Sequence, residues 1–331
     1  MNRGRAATTG LGVVPALALA LAACSAQPTR TAQAPADPGP HPVVAVSQAE
    51  RILDTVDATL AQAAGDPAAA GPRVAGPYKQ ILGAQVKARH ELGKAAPGPV
   101  APGGAGERTR LVIPLGTGWP RFFVSVTSAP TQGTPLMRVL VCSDARAPYA
   151  LWGELTMLPG ATLPGVAPAE QGAPAPSQTP GGRQPAPAAA IDQYAHVLSK
   201  GTDSRFSAQF ARSTFTDQVL ARTAADRKAL AKVATVQSTH TAVPGTVYAL
   251  GTADGGSLVI GVIKQSVTIS IKRGSGTVKV SDPQVAALAG RSRFAKRINR
   301  TAMEVVALLV PPHGPLTVVA AEKADVAITG S

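Results

Sequence analysis

Apolar residues at Ile52, Leu53, Val56 and Leu60 recur at the three- and four-residue spacing that gathers side chains on one helix face. Ser47 followed by Glu50, with Val46 just outside, has the form of a capping box and predicts the start of that helix. After Gly76-Pro77, the residues Tyr78, Leu82 and Val86 predict a second helix ending near Leu92-Gly93. Beyond a Pro/Gly segment through Gly103 the period falls to two. Segments 111–113, 121–127, 136–142 and 150–157 read as strands, and the lack of crossover helices between them favours an antiparallel sheet.

The second half repeats the order. Ile191, Tyr194, Ala195 and Leu198 predict a helix closed by Gly201, Phe206, Phe210 and Phe215 supply bulk, and Val219, Leu220, Leu230 and Val233 continue in helical register. Segments 247–250, 258–263, 267–271 and 277–280 read as strands, with hairpin turns at Asp254-Gly255-Gly256 and Gly274-Ser275-Gly276. Phe294 and Ile298, four apart among Arg291, Arg293, Lys296, Arg297 and Arg300, predict a basic helix, after which 304–310 and 316–321 are the last strands. Helices followed by strands, twice over, predict an α+β chain of two similar domains, each with N-terminal helices packed on a curved antiparallel sheet. The boundaries expected are 47–164 and 190–331, joined by a Pro/Gly/Ala-rich linker over 165–189.

The first 46 residues follow a different plan. Arg3 and Arg5 precede an apolar run from Leu11 to Ala23, which is too short for a hydrocarbon core of about 30 Å and has the form of an export signal. Leu21-Ala22-Ala23-Cys24 has the form of a lipobox, so residues 1–23 are expected to be removed and Cys24 to become the acylated N-terminus. Two or three acyl chains anchor far more stably than one. Residues 24–46 are rich in Ala, Pro, Thr and Gly and read as a flexible tether. The expected location is the outer face of the cell membrane, with the membrane itself a partner through lipidated Cys24.

Composition narrows the functional classes. Aromatic residues make up 4% of the 331-residue chain, too few for an aromatic carbohydrate platform. Of the two cysteines only Cys142 remains beside Cys24, and its apolar neighbours place it as a small buried hydrophobe on a strand. The net charge of +13 predicts attraction to anionic lipid or acidic envelope polymers, and Arg291, Arg293, Lys296, Arg297 and Arg300 read either as the solvated face of a helix or as the contact segment for such a partner. An exported chain without a basic-aromatic module gives no reason to expect nucleic acid.

Catalytic signatures are missing. The five histidines, His41, His90, His196, His240 and His313, have no metal-ligand spacing, so neither a metal nor another cofactor is expected. Glycines 251, 255 and 256 lack the Lys-Ser/Thr of a phosphate loop, and Lys272 to Thr277 has no SxxK partner upstream. No catalytic residue is assigned on the leading reading. Asp144, Arg146, Trp152 and His196 are the candidates for lining a pocket, and Asp144, Asp192 and His196 are the candidates for an acid-base pair on the alternative reading as an enzyme.

The lipobox at 21–24, the helix before Gly76-Pro77, the run from Asp144 through Tyr149 to Leu151-Trp152, Met157-Leu158-Pro159-Gly160, and the strand-turn-strand over 253–260 together resemble uncharacterised actinobacterial, Streptomyces-like lipoproteins. Each half also resembles the nuclear-transport-factor-2-like fold. The first resemblance implies an envelope lipoprotein with no activity to carry over, and the second implies a cone that hosts enzymes and binding domains alike. The leading expectation is an envelope-anchored binding or scaffold module.

Overall fold

A computed structural model describes residues 39–63, 69–93, 107–128, 134–176 and 184–331. Cys24, the signal segment and most of the expected tether lie outside these residues. The described chain runs β1 (His41–Pro42), α1 (Val46–Gln62), α2 (Gly76–Leu92), β2 (Arg108–Val112), β3 (Leu115–Gly116), β4 (Arg121–Thr127), β5 (Leu136–Cys142) and β6 (Ala150–Met157). It continues with α3 (Pro187–Lys200), α4 (Thr214–Leu230), β7 (Ala234–Ala242), β8 (Tyr248–Gly251), β9 (Ser257–Ile271), β10 (Val278–Lys279), α5 (Pro283–Ala289), β11 (Arg293–Phe294), β12 (Arg297–Val310) and β13 (Thr317–Gly330).

Local chemistry sets most of these ends. Pro77, Pro187 and Pro283 sit in the first turns of α2, α3 and α5, where a missing N–H costs nothing. Ser213 accepts the Thr216 N–H to cap α4, and Asp282 accepts from Gln284 and Val285 to cap α5. The expected cap at Ser47 is not formed. Val43 and Val44 are buried, so the chain enters the core early and α1 begins one residue before Ser47, with Ala45 at its cap position. These two valines and the β1–β3 pairing also shorten the expected 24–46 tether, since its last residues belong to the fold.

The described residues build α+β architecture around one nine-stranded antiparallel sheet in the order β2-β4-β5-β6-β13-β12-β9-β7, with β8 paired to β9 beside β7. The expected division into two sheets therefore needs correction. β6 of the first half pairs with β13 of the second through Met157 with Ala320 and Thr156 with Ala321. The alternation of side chains explains why the halves fuse. On one face, Val124, Val139 and Leu155 from the first half share a single apolar cluster with Ile260, Val262 and Val305 from the second. The sheet coils enough to close this cluster: Phe122 of β4 meets Tyr248 of β8 at 5.1 Å between ring centroids, and Trp152 meets the same tyrosine edge-on at 5.0 Å. Separating the halves would expose that cluster, so they fold against each other.

The other face carries the helices. α1 covers Phe123, Leu140 and Leu151, α3 and α4 cover Val259, Ile263 and Val306, and α2 and α5 cover Val267, Ile269 and Ile298.

Three further expectations are revised. Residues 165–176 of the expected linker pack on the sheet: Ala173 is fully buried and bridges Pro114, while Pro174 O and Gly165 O accept the Gly251 and Ala253 N–H groups at 2.7 Å. Residues 177–183 lie outside the described chain. The basic segment is extended, not helical, because Phe294 and Ile298, both buried, are two strand periods apart as well as one helical turn. Segments 258–263 and 267–271 are one strand, β9, carried through the polar Lys264-Gln265-Ser266.

Candidate functional site: a buried charged belt and its pocket

The helix-covered face is not apolar throughout. A row of ionisable side chains crosses it beneath the helices. At one end Arg138 of β5 is almost fully buried, and its cross-strand neighbour Glu154 of β6 accepts from Nε at 2.8 Å. Its Nη1 donates to Asp57 of α1 at 2.6 Å, and Asp57 also faces Arg108 of β2 at 3.2 Å. A guanidinium in this position is tolerable only because two carboxylates match its fork. Tyr78 of α2 stands close by, its hydroxyl proton held more tightly than usual by burial and by the Glu154 charge.

Farther along, Glu304 of β12 is completely buried. Lys323, its partner on β13, donates to it at 2.6 Å and to Gln265 Oε1 at 2.5 Å. Gln265 in turn donates to Ser238 at 3.0 Å, and His240 Nε2 lies 3.4 Å from Glu304 Oε1. Burial alone would raise the Glu304 pKa, yet His240 and Lys323 outweigh it and hold the carboxyl below its ordinary value. Arg300 of the same strand donates to Asp325 at 2.7 Å and lies 3.6 Å from Asp226 of α4.

Glu322, next to Lys323 on β13, behaves in the opposite way. Burial, reinforced by the charge of Glu154, pushes its pKa from 4.5 up to about 7. The folded state thus favours its protonated form, so its stabilising contribution is full below about pH 4.5 and lost as pH rises through about 7. At 1.36 kcal/mol per pH unit, the whole change is about 3 kcal/mol. The Glu322→Gln chain is therefore expected to lose less stability than the parent between pH 5 and pH 8 in parallel urea titrations, whereas superimposable pH dependences would contradict this role.

The belt opens into a pocket of about 480 Å³ between α2, α5 and the β12–β13 strands. Its apolar walls are Ala84, Ala88 and Leu92 on one side and Val285 and Leu288 on the other; Arg300, Glu322, Lys323 and Asp325 line it from the sheet, with Arg89 and Arg222 alongside. This combination can hold a small molecule that has an apolar part and a charged group. Among the described residues no group of three or more His, Cys, Asp or Glu is placed to hold a metal. No helix among them is long and apolar enough to cross a membrane.

The structure distributes the sequence-derived candidates elsewhere. Asp144 is an exposed turn residue whose carboxylate accepts from Ser143, Arg146 N and Ala147 N, and these bonds lower its pKa. Arg146 is exposed in the same turn. Trp152 is core, 5% exposed, packed on Tyr248. His196 on α3 shares a 2.7 Å hydrogen bond with Ser204 and packs on Phe206, while Asp192 is exposed on the same helix. Asp144 and Arg146 thus share one exposed turn, Trp152 lies in the core and Asp192 and His196 lie on α3, and none of the five lines the pocket between α2 and α5. Cys142 is buried, with its thiol donating to Ala147 O at 2.9 Å and its pKa raised by burial. Arg291, Arg293, Lys296 and Arg297 are exposed, but Arg300 points into the belt and leaves the expected anionic contact set.

Sequence reasoning passed over Arg138, Glu154, Gln265, Glu304 and Lys323. A signal was present: Met137-Arg138-Val139 and Met303-Glu304-Val305 each place a lone charge inside an apolar strand, where a charge persists only with a partner.

No curated protein and no solved structure matches the chain. One family model, described as a domain of unknown function (DUF8094), matches residues 40–330, a span that takes in the whole sheet, the belt and the pocket. The chain is therefore a member of the DUF8094 family.

Proposed function

We propose that this protein is a binding module held at the outer face of the cell membrane by acylated Cys24, and that it takes a small amphiphilic ligand into the pocket between α2 and α5. The observation that carries this reading is the pocket itself, apolar on its helical walls and charged on its sheet side. A fold needs no such belt for stability, since buried ion pairs are often no better than apolar replacements. The belt's position beside an open cavity therefore favours a role in recognition. The lipoprotein part of the family resemblance rests on Leu21 to Cys24. The tandem cone part is not carried forward, because both halves contribute to one sheet.

Mass spectrometry of the full chain, extracted by detergent from the envelope of a bacterial host that exports it, tests both components. Under denaturing conditions the expected mass is that of a chain beginning at an acylated Cys24. Under native conditions a further non-covalent mass is expected, and Gln85→Trp, which places an indole at the pocket, is expected to abolish it. A chain carrying no acyl group contradicts the anchor. A non-covalent mass that survives Gln85→Trp, or none at all, contradicts the pocket.

A further inference from the structure

The exposed basic residues converge from segments far apart in sequence. β10 and β11 pair with Lys279 opposite Arg293. Lys272 N donates to Val233 O beside exposed Lys232, and Ile271 N donates to Lys296 O, so the turn after β9 lies between the turn before β7 and the start of β12. Lys272, Arg273, Lys279, Arg293, Lys296 and Arg297 are all exposed at this one end of the sheet, whereas the nearby acid Asp282 is committed to capping α5.

The strand directions relate this end to the chain's entry. β6 runs antiparallel to β13, so its beginning at Ala150 points the same way as the end of β13, which pairs with Ile298. Pairing through β5 sets Cys142 beside Arg121, and Arg121 donates to Val43 O at 3.5 Å. By ladder register, the described chain therefore begins at the strand ends that correspond to the basic end of β9, β12 and β13. The 15 residues from Cys24 to Gly39 reach at most about 50 Å if extended.

We infer that this basic end lies against the anionic headgroups of the bilayer that holds Cys24, making a second, electrostatic contact besides the acyl anchor. The inference rests on the anchoring part of the proposed function and not on the pocket. Lysines and arginines near an anionic surface each add to binding, and the sum is screened by salt.

The test uses the full chain with Cys24→Ala, so that no acyl chain contributes, mixed with vesicles of phosphatidylglycerol and phosphatidylcholine or of phosphatidylcholine alone. At about 50 mM salt, preference for the anionic vesicles is expected to be at least about 100-fold and to be largely lost at about 0.5 M. The substitutions Lys272→Gln, Arg273→Gln, Arg293→Gln, Lys296→Gln and Arg297→Gln together are expected to remove that preference, while Arg293→Lys with Arg297→Lys preserves it. None of these positions lines the pocket, so this contact can fail while the ligand reading stands. Equal affinity for both vesicle types, or a preference that survives the neutralised set, overturns the inference. So does tight binding to soluble polyphosphate without binding to anionic vesicles.

Discussion

Arg138→Ala is expected to destabilise the folded chain by about 3–5 kcal/mol, because it leaves Glu154 and Asp57 without the guanidinium that balances them. Glu154 suffers most: it is the more buried of the two carboxylates, whereas Asp57 is open enough to recover water. The cost is one of unpaired charge, not of lost volume. Arg138→Met together with Glu154→Leu, which removes both buried charges and keeps apolar bulk, is therefore expected to recover most of the loss. Urea titrations of the parent, Arg138→Met, Glu154→Leu and the double variant form the cycle that separates these terms. If the double variant is as unstable as the sum of the singles, the pair is not coupled and this account of the belt is wrong.

Trp152→Ala is expected to cost about 3–5 kcal/mol, the range for deleting a large buried aromatic. Its ring is the piece that Tyr248 packs against edge-on, and its pyrrole edge fills the space above Gly76. Gly76 has φ +55°, and a Cβ built there would stand 2.3 Å from the indole, so that closeness exists only because position 76 is glycine. Because Trp152 belongs to the cluster that joins the halves and does not line the pocket, its loss is expected to lower the unfolding midpoint and leave ligand affinity unchanged in the fraction that remains folded. A variant with the parent's midpoint and lost binding would instead make Trp152 a recognition residue.

Much of the fold was legible in the sequence. The strands at 121–127, 136–142 and 150–157 follow the expected bounds, and α2 ends at Gly93, as a glycine after the last apolar position predicts. What failed has physical reasons. A spacing of four satisfies both periods, so Phe294 and Ile298 could not tell a helix from a strand. β7 was missed because Thr235, Gln237, Thr239 and Thr241 make it polar along its outer face. α5 was missed although Asp282-Pro283 is a cap followed by a first-turn proline. Proline and alanine at 165–176 looked like spacer because composition does not show that a chain without regular structure can still lie buried on a sheet.

The candidate site was much less legible. Arg138, Glu154, Glu304 and Lys323 come from four strands, and only the register that sets Arg138 opposite Glu154 and Glu304 opposite Lys323 makes them partners. Asp144 and His196 lie in an exposed turn and on α3, and neither lines the pocket between α2 and α5.

The most direct test of the ligand-binding reading is a crystal structure of the full-length protein purified from the envelope without added ligand. The account predicts electron density of a bound small molecule between Ala88 and Leu288, with a charged group against Lys323 or Arg300. Density for water alone in that space, or a copurified molecule bound anywhere else, would contradict it.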